Sequence, residues 1–310
     1  MTADGRLAVS GGEDGRVVAW HPRDRRIVQL FASPRDHVYD VAVSEDGQVA
    51  LSGTVDGLVA AWDIGSGRTI GRWEAHSGAV LDVAVSADHR YGLSRGQDVS
   101  VKIWDLREGE LRWVLRGHDE WIGAARLSDD SRFVVTGGAD ASVRVWRTAD
   151  GECEVVLTGH ADAVVDVLPS PDARLLLSCS VDGTVRLWDV VGARCVHVLA
   201  GHTGIVRSLA VTPDFRLAAS GGEDRKARLW DLTTGLAAAR LHRLFARGHA
   251  RRAGPGRRPA PGRRRERASA DLGPGLGVRL RLGDRLPAAG GRARARRAAG
   301  RGRRSAAFPQ

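Results

Sequence analysis

The 310-residue chain has no asparagine, and only two of its 47 basic residues, Lys102 and Lys226, are lysine. Such a bias towards arginine points to GC-rich DNA. The three cysteines, Cys153, Cys179 and Cys195, are an odd count spread over different predicted strands. They exclude a disulfide framework and predict buried free thiols in a reducing cytoplasm. No apolar run approaches the roughly 20 residues that a membrane helix needs, so no membrane partner is expected. No charged-then-apolar leader opens the sequence. A phosphate loop, a dinucleotide fingerprint and zinc-ligand spacing are all missing, so no cofactor and no metal is expected. Aromatic residues make up 5% of the chain, yet nine of them are tryptophan.

Six of those tryptophans stand 42 residues apart: Trp20, Trp62, Trp104, Trp146, Trp188 and Trp230. A fixed period of this length marks a repeat architecture. Ten residues before each lies a hydroxyl (Ser10, Ser52, Ser94, Thr136, Ser178, Ser220), and six before each lies an aspartate (Asp14, Asp56, Asp98, Asp140, Asp182, Asp224). Twenty-eight residues before four of them stands a histidine: His76, His118, His160 and His202. In the repeat ending at Trp62 that position is Pro34. Between the markers, apolar and polar residues alternate in short runs separated by turns such as Val181-Asp182-Gly183. Period two over such lengths reads as β-strand. Four strands fit each period; in the third repeat they fall near residues 80–85, 90–94, 100–104 and 111–115. Four-stranded units at this spacing are blades arranged around a channel.

The sequence resembles the WD-repeat (WD40) family of β-propellers, of the bacterial tandem type. Gly117-His118, Gly159-His160 and Gly201-His202 carry the match, with Trp62-Asp63, Trp104-Asp105, Trp188-Asp189 and Trp230-Asp231. Ala75-His76, Trp20-His21 and Trp146-Arg147 depart from it. The expected fold is all-β: a propeller of about six four-stranded antiparallel blades over residues 1–241, the first blade incomplete. The resemblance implies a hydrogen-bonded tetrad per blade: His76/Ser94/Asp98/Trp104, His118/Thr136/Asp140/Trp146, His160/Ser178/Asp182/Trp188 and His202/Ser220/Asp224/Trp230. A buried imidazole, carboxylate and indole N–H each need a partner, and one chain of bonds satisfies all three. The second blade lacks its histidine and is expected to be softer. Four equivalent copies argue for architecture, not for catalytic triads, so no catalytic residue is expected.

Residues 242–310 break the pattern and are mostly Arg, Gly, Ala and Pro. From 243 onward there are 20 arginines and three acids, a basic tail on an otherwise mildly acidic chain. Two readings stand. A frameshift near His249 in GC-rich DNA turns a seventh blade into such a sequence. Alternatively, the tail is disordered and binds nucleic acid through phosphates. One stretch, Leu276–Leu282, alternates and is a candidate strand for the first blade. Met1 falls where the other repeats end a first strand, so coding sequence is expected to continue upstream.

A fold does not give a function, so surfaces decide. The resemblance implies a platform for protein partners whose upper face carries the contacts. Three positions per blade point there: His37, Tyr39 and Val55; Ala79, Leu81 and Gln97; Trp121, Gly123 and Ala139; Ala163, Val165 and Val181; Ile205, Arg207 and Glu223; with Glu13 from the partial blade. Trp121, Tyr39 and Arg207 are residue types that dominate interface hot spots. Trp121 either binds a partner or packs at the channel mouth. Trp73 and Trp113 fall in outer strands and are expected to pack between blades. The expected function is a non-catalytic protein-binding scaffold. The alternatives are a sensor part of a larger bacterial kinase, nucleotide-hydrolase or peptidase protein, and nucleic-acid association through the tail.

Overall fold

The computed structural model describes residues 1–2, 4–32 and 37–241. They form 23 strands and, among the described residues, no helix. The first sheet holds β1 (Ala8–Gly11), β2 (Arg16–His21) and β3 (Arg26–Ala32). The second holds β4 (Val38–Val43), β5 (Val49–Thr54), β6 (Leu58–Asp63) and β7 (Thr69–Glu74). The third holds β8 (Val80–Val85), β9 (Tyr91–Gly96), β10 (Val101–Asp105) and β11 (Glu110–Leu115). The fourth holds β12 (Ile122–Leu127), β13 (Phe133–Gly138), β14 (Val143–Arg147) and β15 (Cys153–Leu157). The fifth holds β16 (Val164–Pro169), β17 (Leu175–Ser180), β18 (Thr184–Asp189) and β19 (Arg194–Ala200). The sixth holds β20 (Val206–Val211), β21 (Leu217–Gly222), β22 (Ala227–Asp231) and β23 (Leu236–Leu241).

Each sheet is an antiparallel meander in chain order, so short turns suffice and each sheet is one propeller blade. The innermost strands pack in sequence, β4 on β8, β8 on β12, β12 on β16 and β16 on β20. Five apolar clusters fill the gaps between successive blades. Trp62, Trp104, Trp146, Trp188 and Trp230 sit in these clusters, each at most 4% exposed. The preceding blade's outer strand supplies a partner to each: Phe31, Trp73, Leu115, Leu157 and Leu199. Phe31 stacks on Trp62 at 5.1 Å and Trp73 on Trp104 at 4.6 Å. Trp113 packs in the cluster between the third and fourth blades, its indole N–H donating to the Thr148 carbonyl at 3.1 Å. Cys179 is buried, Cys153 and Cys195 are half-buried, and all three are free thiols.

One turn recurs in all six blades, ahead of β1, β5, β9, β13, β17 and β21. A hydroxyl opens it and donates to an aspartate two residues on, as in Thr2–Asp4 at 2.6 Å, Ser86–Asp88 at 2.6 Å and Thr212–Asp214 at 2.6 Å. The next turn repeats too, and its fourth residue is left-handed. Gly15, Gly57 and Gly183 take that conformation freely, but Val99 holds φ at 58°. For a β-branched side chain this is strained.

Bulges recur as regularly as the turns. The pairing of β4 with β5 slips by one residue between Val38 and Asp40, and the four later innermost strands slip at the same place. The residues pushed out are Tyr39, Leu81, Gly123, Val165 and Arg207. A bulge bends the strand and re-aims that side chain.

Candidate functional site

In the third blade, His76 Nε2 lies 2.9 Å from Ser94 Oγ and Nδ1 lies 2.8 Å from Asp98 Oδ1. The Trp104 indole N–H donates to the same Ser94 oxygen at 3.0 Å. The fourth blade joins His118 to Thr136 at 2.7 Å and to Asp140 at 2.9 Å, with Trp146 donating to Thr136 at 2.9 Å. The fifth joins His160 to Ser178 at 2.8 Å and Asp182 at 2.9 Å, with Trp188 donating at 2.7 Å. The sixth joins His202 to Ser220 at 2.8 Å and Asp224 at 2.9 Å, with Trp230 donating at 2.8 Å. Since the indole can only donate, the hydroxyl turns its own hydrogen to Nε2, and Nδ1–H then donates to the carboxylate. Burial pushes the His76, His118 and His160 imidazoles below their ordinary value, which keeps them neutral in this chain of donors. Against the desolvation of its own burial, Asp182 is held down to about 2 by hydrogen bonds from the Ala161 N–H, His160 and Thr184. The four hydroxyls are at most 1% exposed, so they face partners inside the blade and not a substrate.

A fifth member was missed by the sequence reading. Ser100, Ser142 and Thr184 donate to their tetrad aspartates at 2.7, 2.8 and 2.7 Å. The signal was a hydroxyl two residues after the aspartate in three consecutive repeats. In the second blade Ser52 Oγ is buried and has no hydrogen-bond partner among the described residues. The Pro34 position lies outside the described residues.

The departures from the repeat have local compensations. A Cβ on Gly117 would meet Arg144 at 2.9 Å and Trp146 at 3.1 Å. Arg186 and Arg228 crowd Gly159 and Gly201 in the same way. The third blade carries the slimmer Lys102 at that place, its ammonium donating to the Ala75 carbonyl, and there Ala75 replaces the glycine. The aspartate after the tryptophan normally accepts turn N–H groups, as Asp63 does from Ser66 at 2.7 Å. Where Arg147 replaces it, Arg147 pairs with Asp150 at 2.8 Å, and Asp150 accepts the Glu152 N–H at 3.0 Å.

These frames hold the loops of the upper face. The N–H before each tetrad aspartate donates to the carbonyl three residues after the histidine position. The pairs are Val55–His37 (3.1 Å), Gln97–Ala79 (3.0 Å), Ala139–Trp121 (2.7 Å), Val181–Ala163 (2.9 Å) and Glu223–Ile205 (2.8 Å). The remaining position of each set, five residues after the histidine position, is the bulge residue, so the structure brings the three together in five blades. Tyr39 and Val55 are 44% and 47% exposed. His37, Gln97 and Glu223 are exposed; Leu81, Trp121, Val181, Ile205 and Arg207 are half-buried, whereas Ala79 is buried. Val165 is half-buried and leans on the cluster between the fifth and sixth blades. The Arg207 guanidinium pairs with Glu223, its Nε donating at 3.0 Å. Trp121 lies over the Arg95 guanidinium, 5.9 Å from ring centre to Cζ, while Arg95 donates to the Ile122 carbonyl at 2.7 Å. Gly123 is fixed by close approach: a Cβ there would meet the Val164 carbonyl oxygen at 2.1 Å.

Beneath this face, Arg126 reaches Asp82 of the preceding blade at 2.8 Å and Asp166 of the following blade at 3.3 Å. The two carboxylates hold the guanidinium above its usual range despite its desolvation. Burial pushes the Asp166 carboxyl up. Among the described residues no cluster of His, Cys, Asp and Glu has the makings of a metal site, and no helix is long and apolar enough to cross a membrane.

No curated protein sequence matches the chain. The family profile described as "WD domain, G-beta repeat" matches residues 25–63, 67–105, 109–147, 151–189 and 193–231. Each match starts at the outer strand of one blade and ends at the Trp-Asp position of the next, so the sequence repeat ties neighbouring blades together. WD40 repeats generally mediate protein–protein interaction and are typically non-catalytic. The five matches cover more than half of the chain, which therefore belongs to the WD40 repeat family.

Proposed function

We propose that this protein is a non-catalytic scaffold that binds a protein partner on its upper face. The observation that carries the reading is the exposure of Tyr39 at a strand bulge and of Val55 in the adjoining turn, beside a backbone hydrogen bond that is repeated in five blades. Apolar and aromatic groups held in place before binding lose little entropy when a partner covers them. Trp121 and Arg207 add to this face two of the residue types that concentrate binding energy, each already oriented by a neighbour. The tetrads serve the scaffold by fixing these loops.

The test places a photo-crosslinking residue at Tyr39 and, separately, at the exposed Arg174 in a turn at the opposite end of the fifth blade. Protein adducts are expected from position 39 and not from position 174. Adducts from position 174 alone would move the binding surface to the other face. No adduct from either would remove the support for this reading.

A further inference from the structure

The junction of the third and fourth blades holds a pair of side chains that the other blades do without. Arg95 stands where they have Gly11, Gly53, Gly137, Cys179 and Gly221. Those positions are narrow: a Cβ on Gly53 would meet Val80 at 2.4 Å, and one on Gly137 would meet Val164 at 2.5 Å. Arg95 is nevertheless only 7% exposed, its Nη1 donating to the Ile122 carbonyl at 2.7 Å. Trp121 lies over its guanidinium, at a position that holds Ala79 in the third blade and Ala163 in the fifth. The two outsized residues therefore come as a pair, one from each side of the junction. Trp121 belongs to none of the five apolar clusters, so its ring does not fill the core between blades. It is half-buried on the upper face, and its carbonyl is fixed by the Ala139 N–H at 2.7 Å.

The surroundings of Trp121 on this face are apolar within and acidic at the rim. Ala139, Ala163 and Val181 of the fourth and fifth blades are half-buried there. The two blades approach closely at Gly123, where a Cβ would meet the Val164 carbonyl oxygen at 2.1 Å. The loops leading into β12 and β16, residues 116–121 and 158–163, carry one base, Arg116, and three acids, Asp119, Glu120 and Asp162. All three acids are exposed, and none of them forms a salt bridge among the described residues. Asp140 and Asp182, by contrast, are taken up by His118 and His160. Arg144 and Arg186 are turned against Gly117 and Gly159. The charge left to meet a partner here is negative, and it stands beside an aromatic group already set in place. Exposed ion pairs add little affinity by themselves, so an apolar anchor supplies binding and the charges select the partner.

We propose that the upper face over the fourth and fifth blades binds a protein segment in which a large apolar residue is flanked by arginine or lysine. The apolar residue packs against Trp121, and the bases lie beside Glu120 and Asp162. The inference rests on the upper face being the partner surface and adds what the partner carries there.

The test uses the full chain and the fluorescent peptide Gly-Arg-Phe-Ala-Arg-Gly, beside one with glutamate for both arginines and one with alanine for the phenylalanine. Saturable binding of the first is expected, at least about tenfold weaker for each of the others, as ~1.4 kcal/mol of preference requires. Trp121→Ala should abolish the advantage of phenylalanine over alanine and keep that of arginine over glutamate. Glu120→Lys combined with Asp162→Lys, both exposed and outside the tetrads, should reverse the charge preference and leave the thermal midpoint in place. No saturable binding, equal binding of the three peptides, or preferences unchanged in these variants would overturn the proposal. A protein adduct from position 39 alongside any of those results would keep the upper face as the binding surface and remove only this partner chemistry.

Discussion

One substitution, serine to alanine, should have opposite consequences at two equivalent positions. Ser178 Oγ accepts from the Trp188 indole at 2.7 Å and serves His160 Nε2 at 2.8 Å, and its own exposure is 0%. Ser178→Ala leaves a buried indole N–H and a buried imidazole nitrogen without partners. Each such group costs about 1–3 kcal/mol, so the expected loss is about 2–6 kcal/mol. Ser52 occupies the same repeat position in the second blade, is equally buried, and its hydroxyl has no hydrogen-bond partner among the described residues. Ser52→Ala therefore breaks no hydrogen bond among the described residues. Its expected effect runs from zero to a gain of about 1 kcal/mol. Neither change alters packing by more than one oxygen atom, so the comparison isolates the hydrogen bonds. Urea unfolding followed by tryptophan fluorescence reads both, with the midpoint and slope compared for the two variants and the parent. A repeat array need not unfold in one step, but the sign of each midpoint shift survives that. If Ser52→Ala were as destabilising as Ser178→Ala, the tetrad would not be what distinguishes these blades.

Further outcomes follow from other parts of the molecule. Arg126→Met removes the cation paired with the Asp82 and Asp166 carboxylates and should cost about 3–5 kcal/mol at neutral pH. Burial already raises Asp166, so its contribution to stability is greatest in acid and falls as pH rises through its folded value. The loss on Arg126→Met, measured by urea unfolding at pH 4 and pH 7, should shrink at the lower pH; an equal loss at both would contradict this. Asp182→Asn should flatten the acid limb of stability. The Asp182 contribution is fully present above the ordinary aspartate value and is lost as pH falls towards about 2, so a parent chain with no such limb in a pH titration of stability would refute the assignment. Val99→Gly relieves a left-handed conformation costing about 1–2 kcal/mol and should raise the thermal midpoint; a lower midpoint would show that the lost packing outweighs the strain.

The fold was legible because its determinants are local and repeated. A tryptophan every 42 residues, with turn chemistry between alternating runs, fixes strand count and order without any knowledge of contacts. The described residues accordingly form 23 strands. The positions of His76, Asp98 and Trp104 were legible for the same reason, since one blade closes on itself within one period. The bulges at Tyr39, Leu81, Gly123, Val165 and Arg207 were not. A bulge is a property of two paired strands, and no residue type marks the extra position. Arg126 was missed because its partners lie 44 and 40 residues away in other blades, and it appears once, so no periodicity announces it. Val99 did have a signal: Gly15, Gly57 and Gly183 occupy its repeat position. Trp121 stood out in the sequence as a tryptophan off the register, but its seat on Arg95 depends on how the third blade meets the fourth.

The central claim is that the tetrads hold the scaffold while the upper face binds. The most direct test takes a partner captured at position 39 and measures its affinity and the thermal midpoint for Trp121→Ala and Asp140→Ala. Trp121→Ala should lose at least about tenfold in affinity, the ~1.4 kcal/mol that a hot-spot residue exceeds, with the midpoint almost unmoved. Asp140→Ala should lower the midpoint, because it strands His118. A Trp121→Ala variant that loses stability and affinity together, or that binds unchanged, would contradict the account.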